Sequence, residues 1–208
     1  GNIIVADPTG RMHVSANLDV DEFRFNNDSI GKVKLAGNYY SNTQKATATI
    51  ESLNEEYAFN GKVNLDLNDS AEVQIDTEMP MKRMRINVLR SYLTSILDDV
   101  DGYATGNLRL VGKLKSPSII GDVVLTEGML KVGYTKCVYR VDSAFLRFGS
   151  NYIDFGSMNI KDSKGRGGTV EGRFYHRFFD SLSFNMRMQT AGMEVLNTSG
   201  KDNELFFG

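Results

Sequence analysis

The stretch GYATGNLRLVGKLKSPSIIGDVVLTEGMLKVGY, residues 102–134, sets short runs with one apolar side between glycines and a single proline. It reads as strand, turn, strand, with no room for a helix. The same grammar runs through most of the chain. It supplies apolar faces and few groups able to do chemistry, so the expectation is a surface that binds, holds or conducts something.

Working outward toward the N-terminus, Met12, Val14, Ala16, Leu18 and Val20 share one side of a strand, while His13, Ser15, Asn17 and Asp19 take the other. A polar turn at Asn26, Asn27 and Asp28 leads to a second strand with Val33, Leu35 and Tyr39. Ala46, Ala48 and Ile50 mark a third. Tyr57, Phe59, Val63, Leu65 and Leu67 mark a longer fourth, and Val73 and Ile75 follow the Asn68-Asp69 turn. Toward the C-terminus, Cys137 to Val141 form a strand, and residues 144–148 and 152–155 flank a Gly149-Ser150-Asn151 hairpin turn. Met158 and Ile160 follow, then the polar turn DSKGRGG, residues 162–168. The last two strands read as the longest. Val170, Gly172, Phe174 and His176 share one side of the first, and Leu182, Phe184, Met186 and Met188 share one side of the second. Four such side chains forgo roughly 1.5–3 kcal/mol each when left in water, on the order of 6–12 kcal/mol per strand. A second sheet or an apolar ligand would satisfy that demand equally well.

The rhythm breaks between Pro80 and Asp101. Leu89, Tyr92, Leu93, Ile96, Leu97 and Val100 fall at steps of three and four, which predicts a short amphipathic helix with Asn87 as N-cap and Gly102 as stop. Lys82, Arg83 and Arg85 among Met79, Met81, Met84 and Ile86 could lie on an anionic membrane. Docking of the helix stripe on a sheet is the commoner use of such a segment.

The chain has 208 residues, 41% hydrophobic and 24% charged, enough for one large β domain or two small ones. A formal net charge of −2 argues against a nucleic-acid partner. Cys137 is the only cysteine, which excludes an internal disulfide. No apolar run approaches a membrane span, and no signal peptide opens the sequence. Gly1 reads as a cloning remnant and Leu205-Phe206-Phe207-Gly208 as an interrupted strand, so a piece of a longer protein is expected.

Groups for catalysis or metal binding are scarce. His13 and His176 are far apart in sequence on predicted strands, which does not suit a Ser-His-Asp or Cys-His arrangement. Asp98, Asp99 and Asp101 lack EF-hand ligand spacing. GRGGTVEG, residues 165–172, has no following helix and no GKS or GKT. The sequons at Asn27 and Asn197 are short enough to arise by chance. No enzyme, cofactor or metal is expected.

The order Pro80-Met81, helix, Gly102, Gly106, Leu108, Leu110, Gly112, Pro117, Gly121 resembles the C-terminal region of the TamB family. Strands near Leu146 and Phe148 and near Ile153 and Phe155, a turn with Asp162 and Gly165, Val170 and Gly172, Phe178-Phe179 and a strand with Leu182, Phe184 and Met186 continue the likeness. It covers residues 79–208, and residues 1–78 fit only in style. The resemblance implies a mainly β fold: a long antiparallel sheet curled into an open trough, greasy inside and polar outside, with residues 1–79 and 102–208 as trough segments and 80–101 as a helical connector. It further implies a protein anchored in the inner membrane of a Gram-negative bacterium, reaching through the periplasm to an outer-membrane barrel of the BamA and TamA type. Such proteins serve phospholipid movement and outer-membrane protein assembly. No catalytic residues are carried over.

A conduit must hold acyl chains, at about 0.8 kcal/mol per buried methylene, without gripping one position. Nine methionines and many leucines suit that need. The residues expected to line such a groove are Val14, Leu18, Phe59, Val63, Leu65, Leu108, Leu110, Val123, Leu125, Leu146, Phe148, Phe174, Leu182, Phe184, Met186 and Met188. Three functions follow: a phospholipid or acyl-chain conduit, a scaffold pairing a sheet edge with nascent barrel strands, or a closed β-sandwich for adhesion.

Overall fold

The computed structural model describes residues 1–25, 28–69, 71–177 and 181–198, apart from the side chains of Tyr92, Arg177, Ser181 and Leu182. Asn26, Asn27, Phe178, Phe179 and the run 205–208, all singled out from the sequence, lie outside the described residues.

Within these bounds the chain is mainly β. The strands are β1 (Asn2–Ala6), β2 (His13–Phe25), β3 (Asp28–Tyr40), β4 (Lys45–Ser52), β5 (Tyr57–Asp66), β6 (Gln74–Arg85), β7 (Leu97–Lys113), β8 (Ser116–Val132), β9 (Val138–Gly149), β10 (Tyr152–Asp162), β11 (Gly167–Arg177) and β12 (Ser181–Thr190). They form one open antiparallel sheet in strict chain order, each hydrogen-bonded to the next. The two-sheet sandwich considered above is not what forms.

Three expectations need correction. First, the helix shrinks to a 3₁₀ turn, Ile86–Leu89, and a single α turn, α1 (Arg90–Leu93), while Leu97 to Val100 enter β7. Asn87 sits inside the 3₁₀ turn and provides no cap, and Gly102 lies within β7. A helix so short is marginal by itself, and a period-two run competes for the same residues: Val100, Gly102 and Ala104 are all buried at alternate positions of β7. Second, the longest strands are β7 and β8, at 17 residues each, not β11 and β12. Runs that read as separate strands on either side of Gly128 and of Gly156 are continuous, and at Gly156 the β10–β11 register shifts without ending the pairing. At Gly121, φ is +138° and an added Cβ would sit 2.1 Å from the Asn107 carbonyl oxygen, so only glycine lets the two backbones approach this closely. Third, Asn2–Ala6 is itself a strand, paired with His13 to Asn17. By contrast, the hairpin expected at Gly149-Ser150-Asn151 is present.

Two compact units divide the chain. The first comprises Gly1–Met84, Thr105–Asp122 and Phe148–Ser150, and the second comprises Arg85–Ala104, Val123–Arg147 and Asn151–Gly208. The second holds the densest core: Leu125, Cys137, Tyr139, Val141, Ala144, Phe155, Ile160, Val170 and Met193.

The carboxylates at the start of β7 are spent on ion pairs. Asp101 accepts from Arg85 Nε and Nη2 at 2.9 and 2.8 Å, Asp99 from Arg90 at 2.8 Å and Asp98 from Lys136 at 3.0 Å. The Arg85 bonds are the main reason the Asp101 carboxyl lies below its usual range, against a smaller opposing effect of burial. Among the described residues no group of three or more His, Cys, Asp or Glu could hold a metal ion.

Candidate functional site: a one-sided apolar face

Strand register turns the period-two pattern into a continuous surface. In the first unit, Val5, Val14, Tyr39, Ala46, Leu65 and Ile75 form one cross-strand row. A second row runs Ile3, Ala16, Gly37, Ala48, Val63 and Thr77, and a third runs Leu18, Leu35, Ile50 and Gly61. The middle row is small at its centre, where Ala16, Gly37 and Ala48 lie between larger neighbours. Its six strands span roughly 24 Å at about 4.8 Å per strand. Phe59 joins this face opposite Met81. Arg109 donates to Asp76 at 2.9 and 3.0 Å on the polar face, which puts its neighbours Leu108 and Leu110 on the apolar one.

The face is incompletely covered. Val14, Phe59, Val63, Leu65, Leu108 and Leu110 are half-buried and Leu18 is exposed. The edge residues Ile3 and Val5 are more exposed still. No second sheet, and no helix beyond one turn, exists among the described residues to lie over it. The opposite face is mostly polar: beyond the exposed Ile4, one of its rows runs Ser15, Asn38, Thr47, Asn64 and Asp76.

The second unit repeats the division. Ile153, Phe174 and Phe184 form one row, and Met158, Val170 and Met188 another. Their polar counterparts pair across strands, Arg173 with Asp154 at 2.7 Å and Arg187 with Glu171 at 3.4 Å. Burial falls steeply toward the edge. Val123 and Leu125 are buried, Leu146 and Phe174 half-buried, and Phe184, Met186 and Met188 are 61%, 49% and 41% exposed. Phe148 is half-buried, and the Leu182 side chain lies outside the described residues. Val123 and Leu125 therefore serve as core, while the β12 residues present an open surface. Two clefts lie elsewhere, one lined by Ala71, Val73 and Leu114 and one by Asn159, Lys161 and Gln189.

Sequence patterns gave no sign of the segment that packs on the second unit after β12. Residues 191–198 turn back from the end of β12, and Met193 enters the core. A Cβ on Gly168 would lie 3.2 Å from Met193 Cε, which places that methionine on the apolar face. Asp162, in the next inward position of β10 after Met158 and Ile160, is buried and accepts from the Glu194, Lys164 and Arg166 backbone N–H groups, each at 2.9 Å, and from Arg166 Nε at 2.7 Å. Burial raises this carboxyl's pKa, but the Glu194 amide and Arg166 outweigh burial and hold it far below the usual range.

The two histidines lie in different surroundings. His13 Nε2 lies 3.1 Å from Asn38 Oδ1, and its ring stacks on Tyr40 at 4.4 Å. His176 is buried on the apolar side of β11, and burial lowers its pKa. A histidine kept neutral by folding contributes stability that is complete above its unfolded pKa, about 6.5, and is lost as pH falls below that value. Thermal melts of the protein are accordingly expected to drop between pH 7 and 5.5, and His176→Leu to flatten that window. Equal slopes in both proteins would refute the assignment.

No family model, no curated protein and no solved structure matches the chain.

Proposed function

We propose that the chain is a lipid-holding segment of a TamB-like protein, its sheet curled so that the apolar face lines an open trough for phospholipid acyl chains. The supporting observation is the one-sided face itself. It is mainly apolar along its registered rows, mainly polar on its reverse, and incompletely covered, whereas a soluble protein ordinarily buries or occupies so large an apolar surface. The small residues Ala16, Gly37 and Ala48 leave a shallow furrow about 10 Å long across three strands, between Ile3 and Val63. On this reading the protein works without catalysis, in the periplasm, anchored to the inner membrane through regions outside this segment. It passes lipid toward an outer-membrane barrel of the BamA and TamA type. Among the described residues β12 is the last strand of the sheet, and its exposed Phe184, Met186 and Met188 favour a second reading, in which the sheet edge templates nascent barrel strands by β-augmentation.

Mass spectrometry of lipids extracted from the purified protein tests the first reading. Phospholipid is expected to co-purify, and Phe184→Asp with Met186→Asp to reduce the amount several-fold while the far-ultraviolet circular dichroism stays unchanged. Lipid-free protein in both preparations would overturn it. In cells, a photo-crosslinking residue at Met186 that captured only barrel proteins would favour the second reading.

A further inference from the structure

Residues 191–198 form neither strand nor helix, yet they are tied down at four points. The Met193 N–H donates to Thr190 Oγ1 at 3.0 Å, the Glu194 N–H to Asp162 Oδ2 at 2.9 Å, and the Asn197 N–H to the Thr135 carbonyl at 2.7 Å. The Tyr139 hydroxyl donates to the Glu194 carbonyl at 3.0 Å. Thr190 ends β12, Asp162 ends β10, Tyr139 lies near the start of β9, and Thr135 lies in the β8–β9 turn. The segment thus crosses the strands on their apolar side, with Met193 the one side chain it commits to the core.

Its grip is local and its cover partial. Met193 is buried, but Val195 is 40% exposed, and Phe184, Met186 and Met188 on the same face remain open. The bonds to neutral acceptors contribute about 0.5–1.5 kcal/mol each and the Glu194 bond to the Asp162 carboxylate about 1.5–3 kcal/mol, and they hold one short segment that can open locally while the paired strands stay intact. An unbranched methionine in such a contact occupies the kind of volume that a few methylenes of a lipid would fill.

We propose that residues 191–198 are a displaceable lid, an in-chain occupant of the second unit's apolar face that an acyl chain competes with and lifts. This rests on the acyl-chain reading of that face. Loading would replace Met193 with ligand methylenes and release the Glu194 and Asn197 amides to solvent. Unloading would let the segment close, so that the core around Val141, Phe155 and Ile160 is not left bare.

Hydrogen–deuterium exchange of the Glu194 and Asn197 amides, with and without palmitate below its micelle concentration, is the direct test, alongside calorimetric titration of palmitate. Those amides are expected to exchange at least tenfold faster than the paired amides of β10. Tyr139→Phe should accelerate them a further three- to tenfold, roughly the effect of one lost hydrogen bond, and palmitate should accelerate them in both proteins while β10 stays protected. Thr190→Val, which frees the Met193 amide at the exposed end of β12, provides a second variant should Tyr139→Phe loosen the fold. Exchange of the lid only together with β10 would overturn the proposal. So would saturable palmitate binding that leaves lid exchange unchanged, although the acyl-chain reading would then stand. If the variants accelerate exchange but palmitate neither binds nor alters it, both the competition and the acyl-chain reading of this face fail.

Discussion

Gly172→Ala is expected to destabilise the second unit by about 3 kcal/mol or more. Gly172 has φ of +144°, which costs an L-residue roughly 1–2 kcal/mol by itself. Its new Cβ would also stand 2.1 Å from the Asn185 carbonyl oxygen and 2.9 Å from Met186 Cα, both backbone atoms of β12 that cannot rotate away. Relief requires β12 to move off β11, which disturbs the pairing of Gly172 with Met186 and of Arg173 with Asn185. Gly156→Ala is the matched control. Its φ is +53° and an added Cβ would meet nothing within 4 Å, so only the conformational cost applies. Urea denaturation of the two variants measures the difference, and a Gly172→Ala midpoint within about 1 kcal/mol of wild type would refute this account of the β11–β12 contact.

The second large effect separates two phenylalanines. Phe155 lies at the β10 bulge, between Asp154 paired with Arg173 and Gly156 paired with Gly172, and its side chain is 8% exposed in the core. Truncation to alanine is expected to cost about 3–5 kcal/mol, the usual range for a buried phenylalanine. Phe184 is 61% exposed, so its truncation should change stability by no more than about 0.5 kcal/mol in lipid-free protein. Chemical denaturation of both variants decides the matter. A Phe184→Ala loss comparable to that of Phe155→Ala would mean that something covers the β12 face in solution and that the face is not open.

How much of this was legible in the sequence follows from what sets each feature. The strands with clean alternation, such as β2, β4 and β11, follow from period two alone, because each has a single apolar side. The boundaries of β8 and β10 were misread because glycine marks a turn and a mid-strand position alike, and only pairing distinguishes them: Gly128 and Gly156 lie inside strands that continue on both sides. The expected helix failed because Leu89 to Val100 satisfy helical spacing while Val100, Gly102 and Ala104 satisfy strand spacing, and pairing within the sheet decides between them. Strand β1 was missed because Ile3, Ile4 and Val5 form an unbroken apolar run with no alternation. The alternation of the candidate lining positions was legible in the sequence, but their coverage was not, since burial depends on distance from the sheet edge: Leu125 and Met188 look alike in sequence and differ in exposure from 6% to 41%. Met193 and Asp162 gave no periodic signal, because their roles come from a segment that returns across strands already laid down.

Strict chain-order pairing also has a kinetic meaning. Every strand finds its partner in the residues just before it, so ordering can propagate like a zipper as the polypeptide emerges, without waiting for distant partners. The hydrogen bond from Asn197 to Thr135 reaches across 62 positions. Closing that long loop belongs to the end of the process, so residues 191–198 are a natural reporter for completed assembly of this half of the molecule.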